Sequence, residues 1–140
     1  MTPLQALQAT LAAEHAAVYV YGVLAAQTSR AQRPTLHADL NAAYLAHRQR
    51  RDELIAKIAE AGVTPVAAAV AYDLPNAAGT ATQVTLAART TEERAALVYG
   101  QLVQSTAGTD RRWGIAALTA TALLHLVFGG SPQPFPGLAG

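Results

Sequence analysis

The chain has 140 residues, 51% of them hydrophobic and 14% charged, with ten basic side chains against nine acidic ones and no cysteine. That near-neutral balance offers no broad basic field to a phosphate backbone, so nucleic acid is not expected as a partner, and disulfides, thiolate metal sites and cysteine nucleophiles are excluded together. The length suits one domain with one core, the apolar fraction argues against disorder, and the lack of a basic patch leading into an apolar run makes the cytoplasm the expected location.

Thr2-Pro3 reads as a cap and first turn, after which Leu4, Leu7, Leu11, Glu14, Val18 and Tyr21 recur at helical spacing; this predicts a first helix over about 3 to 29. Pro34 opens a second, about 34 to 61, with Leu36, Leu40, Tyr44, His47, Leu54 and Ile58 on or beside one stripe, until Gly62 and Pro65 stop it. Residues 63 to 80 hold Pro65, Pro75 and Gly79 but also the apolar run from Val66 to Tyr72, which suits an ordered crossover. A third helix can start early, capped by Thr80, or late, at the capping-box pattern Thr90-Thr91-Glu92-Glu93. Thr109-Asp110 can cap the fourth, which runs to Gly129-Gly130, and the prolines of 131 to 140 forbid a helical tail. From Trp113 to Gly130 no Asp, Glu, Lys or Arg occurs. A membrane span needs about 20 strongly apolar residues, and Gly114, Thr119, Thr121 and His125 interrupt this stretch, so no membrane is expected. The reading is of a buried helix covered by the crossover, the tail or another subunit.

One hairpin is written twice. The run Glu14-His15-Ala16-Ala17-Val18-Tyr19-Val20-Tyr21-Gly22-Val23-Leu24 matches Glu92 to Leu102 at six of eleven positions, and the offset, 92 − 14 = 78, also places His47 on His125. The halves are about 3 to 61 and 80 to 128, and their register favours the early start of the third helix. At about 1.5 Å of rise per residue, Glu14 lies about 27 Å and His47 about 22 Å below a turn near residue 32, so the two meet in mid-bundle. Glu92 and His125 are placed alike in the other half.

This pattern resembles the ferritin-like family, an all-α four-helix bundle with a long crossover between helices two and three. Its di-metal members place a Glu on the first helix of each hairpin and a Glu-x-x-His on the second. More narrowly, the alanine-rich bundle and the terminal Phe135-Pro136-Gly137-Leu138 resemble an uncharacterised bacterial, actinobacterial-type ferritin-like domain of unknown function. The resemblance covers residues 3 to 128 and carries no assigned activity. The Glu of Glu-x-x-His falls on Tyr44 in one half and Ala122 in the other, so two carboxylates of the family's metal site are absent.

Two readings follow for Glu14, His47, Glu92 and His125. They can hold one tetrahedral zinc or one open iron or manganese site, making an oxidoreductase with oxygen or peroxide as substrate. The preferred reading has no cofactor: the four are polar core groups satisfied by one another, by tyrosine hydroxyls and by Arg51, one turn beyond His47. On that reading the protein is a non-catalytic structural or interaction module, a homodimer through its uncharged fourth helix, with the tail as a further candidate docking segment. Tyr21 and Tyr99 are expected in the core with their hydroxyls in the polar layer, and Gly22 and Gly100 to admit a neighbouring helix. His15 and His37 are expected to face solvent, as is the charge run of Arg48, Arg50, Arg51, Asp52, Glu53, Lys57 and Glu60.

Overall fold

The computed structural model describes residues 1–138; positions 139 and 140 of the tail lie outside the described residues. Four helices are present: α1 (Pro3–Gln27), α2 (Pro34–Glu60), α3 (Ala81–Ser105) and α4 (Gly108–Val127). Their ends follow local chemistry. Thr2 with Gln5 and Thr80 with Gln83 form capping boxes, each satisfying two otherwise orphaned backbone donors. The early start of α3 is thus the one adopted, and Thr91 lies inside the helix with its hydroxyl turned back to the Ala87 carbonyl at 2.8 Å. α2 and α4 close in the same way: Gly62 and Gly129 take positive φ, and the following amides return to Ile58 and His125 at 3.3 and 2.8 Å. α4 differs from expectation at its start, which falls at Gly108 after Ala107 without any side-chain cap.

α1 packs on both α2 and α3, α3 packs on α4, and α2 touches α4 only narrowly. The α2–α4 gap is bridged by long polar side chains. Lys57 Nζ meets Asp110 Oδ1 at 2.9 Å, the Trp113 indole donates to Glu53, and Arg50 Nη1 donates to the Thr121 hydroxyl at 2.9 Å. Two apolar clusters fill the bundle. One gathers Val20, Leu24, Leu40, Val84, Ala87 and Phe128; the other gathers Leu7, Leu11, Leu54, Ile58, Leu102 and Ala117. Each fully buried leucine contributes about 1.5–3 kcal/mol by leaving water. Between the clusters, at the level of Glu14, His47 and Glu92, the interior is polar.

The crossover is ordered by specific contacts on α1. Gln8 donates to the Thr64 carbonyl and accepts from the Val66 amide, both at 2.8 Å, and the Tyr19 and Tyr72 rings lie 5.7 Å apart. His15 corrects its expectation: it is buried, with Nε2 2.9 Å from the Val66 carbonyl, because the crossover covers a position that would otherwise face solvent. His37 is half-buried. Among the described residues the helix long and apolar enough to cross a membrane is α1, not α4, and it carries Glu14 and His15.

The tail returns over α3. Gly137 packs its backbone on Gly100 and Ala96, so Gly100 admits the tail and not, as expected, a helix. A Cβ on Gly100 would overlap the Gly137 carbonyl, whereas a Cβ on Gly22 meets the Tyr44 ring at an ordinary 3.7 Å. The two Tyr-Gly pairs should therefore respond oppositely to alanine. Gly22→Ala should leave stability equal or raise it by about 0.5–1 kcal/mol through helix propensity. Gly100→Ala should displace the tail, read as severalfold faster hydrogen exchange at the Leu138 amide, which donates to the Phe135 carbonyl at 3.3 Å in the packed tail; equal exchange in both variants would refute this packing.

Candidate functional site

The polar layer is built by α1, α2 and α3. His47, at 0% exposure, stands between two carboxylates: Nδ1 lies 2.6 Å from Glu14 Oε2 and Nε2 lies 2.8 Å from Glu92 Oε1. The tyrosines complete it crosswise. Tyr21 donates its hydroxyl to Glu92 and Tyr99 donates to Glu14, each at 2.5 Å, short as charge-assisted hydrogen bonds are. Tyr21 also stacks on the His47 ring, with centroids 5.2 Å apart.

A second cation sits beside this group. The Arg50 guanidinium lies over the Tyr99 ring at 5.5 Å, with Nη1 3.6 Å from Glu14 Oε1. Two buried carboxylates thus face one imidazole and one guanidinium, which lets the charges be dry without a net excess. Burial pulls the His47 proton affinity down, but Glu14 and Glu92 outweigh it and bring the pKa from 6.5 up to about 9. At neutral pH the ring is therefore an imidazolium donating from both nitrogens. Burial, and then Glu14 for Tyr99 and Glu92 for Tyr21, hold both phenols well above their ordinary range, so they remain donors. Burial opposes the Arg50 charge, yet Glu14 foremost raises its proton affinity above the usual value.

Of the four residues singled out in the sequence, Glu14, His47 and Glu92 converge and His125 does not. His125 Nε2 turns to Glu93 Oε1 at 3.1 Å, at the edge of α3. The arginine is also corrected: it is Arg50 that enters the layer, while Arg51 pairs with Asp52 on the surface at 2.8 Å. The buried positions of α2 run Leu40, Ala43, His47, Arg50, Leu54, Ile58, and this stripe leans to the Arg50 side of His47. Arg50 therefore leaves the solvated charge run to which its neighbours belong. Thr121, its hydrogen-bond partner, carried no signal beyond its position on α4.

An iron, manganese or zinc ion does not fit this donor set as arranged. Both nitrogens of His47 already face carboxylate oxygens at hydrogen-bond distance, and Arg50 holds the place of positive charge beside Glu14. Among the described residues, no group of three or more His, Asp or Glu side chains is arranged to hold a metal ion. Two buried polar atoms remain without a partner, Arg50 Nη2 and Glu92 Oε2.

The fold and the site define an all-α four-helix protein with an internally neutralised polar layer. Residues 6–140 match the family model described as Domain of unknown function (DUF4439), and the chain belongs to that family. It is also similar to the crystal structure of a conserved hypothetical protein from Mycobacterium tuberculosis. The two are 30% identical, the match covers 90% of this chain and 93% of the other, and the TM-score is 0.83. No curated protein matches the chain.

The His47 shift fixes a pH dependence. A folded-state pKa near 9 against 6.5 makes the contribution of His47 fully present below pH 6.5 and lost as pH rises through about 9. Urea midpoints should fall between pH 7 and pH 9 by an amount worth on the order of a few kcal/mol. In His47→Gln the midpoint should be lower throughout and nearly flat over that interval. A wild-type midpoint that is itself flat there would show that the ring is not held as an imidazolium.

Proposed function

We propose that this protein is a ferritin-like bundle, built from two copies of one hairpin, whose metal layer has been replaced by a salt-bridge network, and that it serves as a non-catalytic structural or interaction module. The observation that carries this reading is the double engagement of His47 by Glu14 and Glu92, with Arg50 as the second cation. The network performs the electrostatic task of a divalent ion, since each carboxylate meets positive charge without any bound group. Both ring nitrogens of His47 are engaged by carboxylates, so the imidazole presents no free base. The crosswise Tyr21–Glu92 and Tyr99–Glu14 contacts support the two-copy origin, because each half presents the same residue to the same partner of the other half.

The working surface on this reading is α4. Ile115, Leu123 and Val127 are exposed at 48%, 59% and 53% and stand at i, i+8 and i+12 on one face of the helix. A stretch without charge from Gly114 to Gly130 can lie against its own copy across a twofold axis with no like-charge cost, which suits a homodimer.

Two measurements test the two halves of the proposal. After anaerobic incubation with iron, manganese or zinc and removal of loose ions, elemental analysis should find no stoichiometric metal in the wild type. Near-stoichiometric metal that is lost in Glu14→Ala would overturn the replacement of the site and favour an oxidoreductase. Light scattering at micromolar concentration should give a dimer that Ile115→Lys converts to a monomer, and a strictly monomeric wild type would remove the α4 interface.

A further inference from the structure

A cleft of about 210 Å³ lies between α3, α4 and the returning tail. Ala96, Ala122, Leu123 and Leu126 make its wall largely apolar, and Pro132 and Pro136 of the tail close one side. The ionisable pair at its rim, His125 and Glu93, is spent on itself at 3.1 Å. A dry cavity of about 150 Å³ accepts benzene, so the space here suits one phenyl ring.

Such a ring stands on the same tail. Phe135 directly precedes Pro136 of the cleft's edge, is 72% exposed, and does not line its own cleft. Its outward position is built by the backbone. The Leu138 amide donates to the Phe135 carbonyl at 3.3 Å, proline holds the second position of this turn, and Gly137 supplies a φ of 82° at the third, the signature of a type II turn. Gly137 also packs on Gly100 and Ala96, which ties the turn to α3. A large apolar ring held in water on a fixed turn loses little further freedom when a partner buries it.

Charge selects the partner. From Trp113 to Leu138 the chain carries no Asp, Glu, Lys or Arg, so α4 and the tail form one uncharged face. Two copies can oppose such a face without like charges meeting, whereas a charged partner gains no ion pair from it.

We propose that in the homodimer each copy inserts its Phe135 ring into the cleft of the other. The exchange rests on the α4 interface proposed above and names what that interface buries. Leu123, exposed on α4 and also part of the cleft wall, joins the two contacts into one surface. Because ring and cleft adjoin, a single twofold axis sets each ring against the opposite opening, and both contacts form together, as a closed isologous interface requires.

Two variants of the full chain separate the halves of the exchange. Phe135→Ala removes the ring and keeps the cleft; Ala122→Leu fills the cleft and keeps the ring. Phe135 is exposed and Ala122 half-buried, so both variants retain the fold. In sedimentation equilibrium each variant alone should raise the dimer dissociation constant about a hundredfold or more, because both contacts are lost. An equimolar mixture regains one contact, the ring of the Ala122→Leu chain in the cleft of the Phe135→Ala chain, so native mass spectrometry should show heterodimer in excess of random pairing. A wild type that is strictly monomeric removes the α4 interface and the exchange together. A dimeric wild type whose affinity Phe135→Ala leaves unchanged overturns the exchange alone, as does a mixture without heterodimer excess.

Discussion

An imidazolium clamped between two buried carboxylates is the constraint on which the rest of this molecule turns. Through it His47 joins α2 to Glu14 on α1 and to Glu92 on α3, so three of the four helices meet at one ring. No member can be removed singly without stranding a charge in the dry interior, which costs about 3–5 kcal/mol. The tyrosines reinforce the clamp from both sides, and their hydroxyls remain donors because burial keeps the phenols from ionising. Arg50 closes the charge balance and at the same time reaches α4 through Thr121.

The clamp is lopsided, and the lopsidedness shapes the surface. At the 78-residue offset His47 corresponds to His125 and Arg50 to Phe128. Phe128 is buried and packs on Tyr21 at 6.0 Å, much as Arg50 covers Tyr99 at 5.5 Å, so the second half supplies an apolar plate where the first supplies a cation. One imidazolium already serves both carboxylates. His125 is left to pair with Glu93 at the periphery, and α4 is held to α2 by reaching side chains more than by close helix contact. A helix attached in this way keeps apolar side chains on its free face and leaves a cleft beside the tail.

Much of this was legible in the sequence, for reasons that differ between elements. Pro34, the Thr2 and Thr80 caps and the glycines after α2 and α4 act through local backbone chemistry, and a local cause can be read from a few neighbouring residues. Glu14, His47, Glu92 and the two tyrosines were found because the chain states them twice. Arg50 was hidden by its setting in a charge run, where a shift of one residue on a helix separates the core stripe from solvent. His15 and Gly100 depended on segments far away in sequence, the crossover and the tail, whose paths have no periodicity from which to be inferred. The divergence of His125 had the same origin, since it depended on what His47 leaves for a second histidine to do.

Why such a chain keeps a polar layer at all follows from its composition. Helices rich in alanine present shallow, repetitive surfaces, and two of them can slide by one turn with little change in buried apolar area. The polar layer removes that freedom. A slip of α1 against α3 by one turn would place Glu14 beside the apolar clusters and separate both tyrosine–glutamate contacts together, leaving four polar groups unsatisfied at once. The network therefore contributes less as net stability, since a well-packed apolar replacement of the whole layer can equal it, than as selection of a single register. That register also sets Glu92 with one carboxylate oxygen spent on the clamp and the other free, at the boundary between the interior of the bundle and the cleft under the tail.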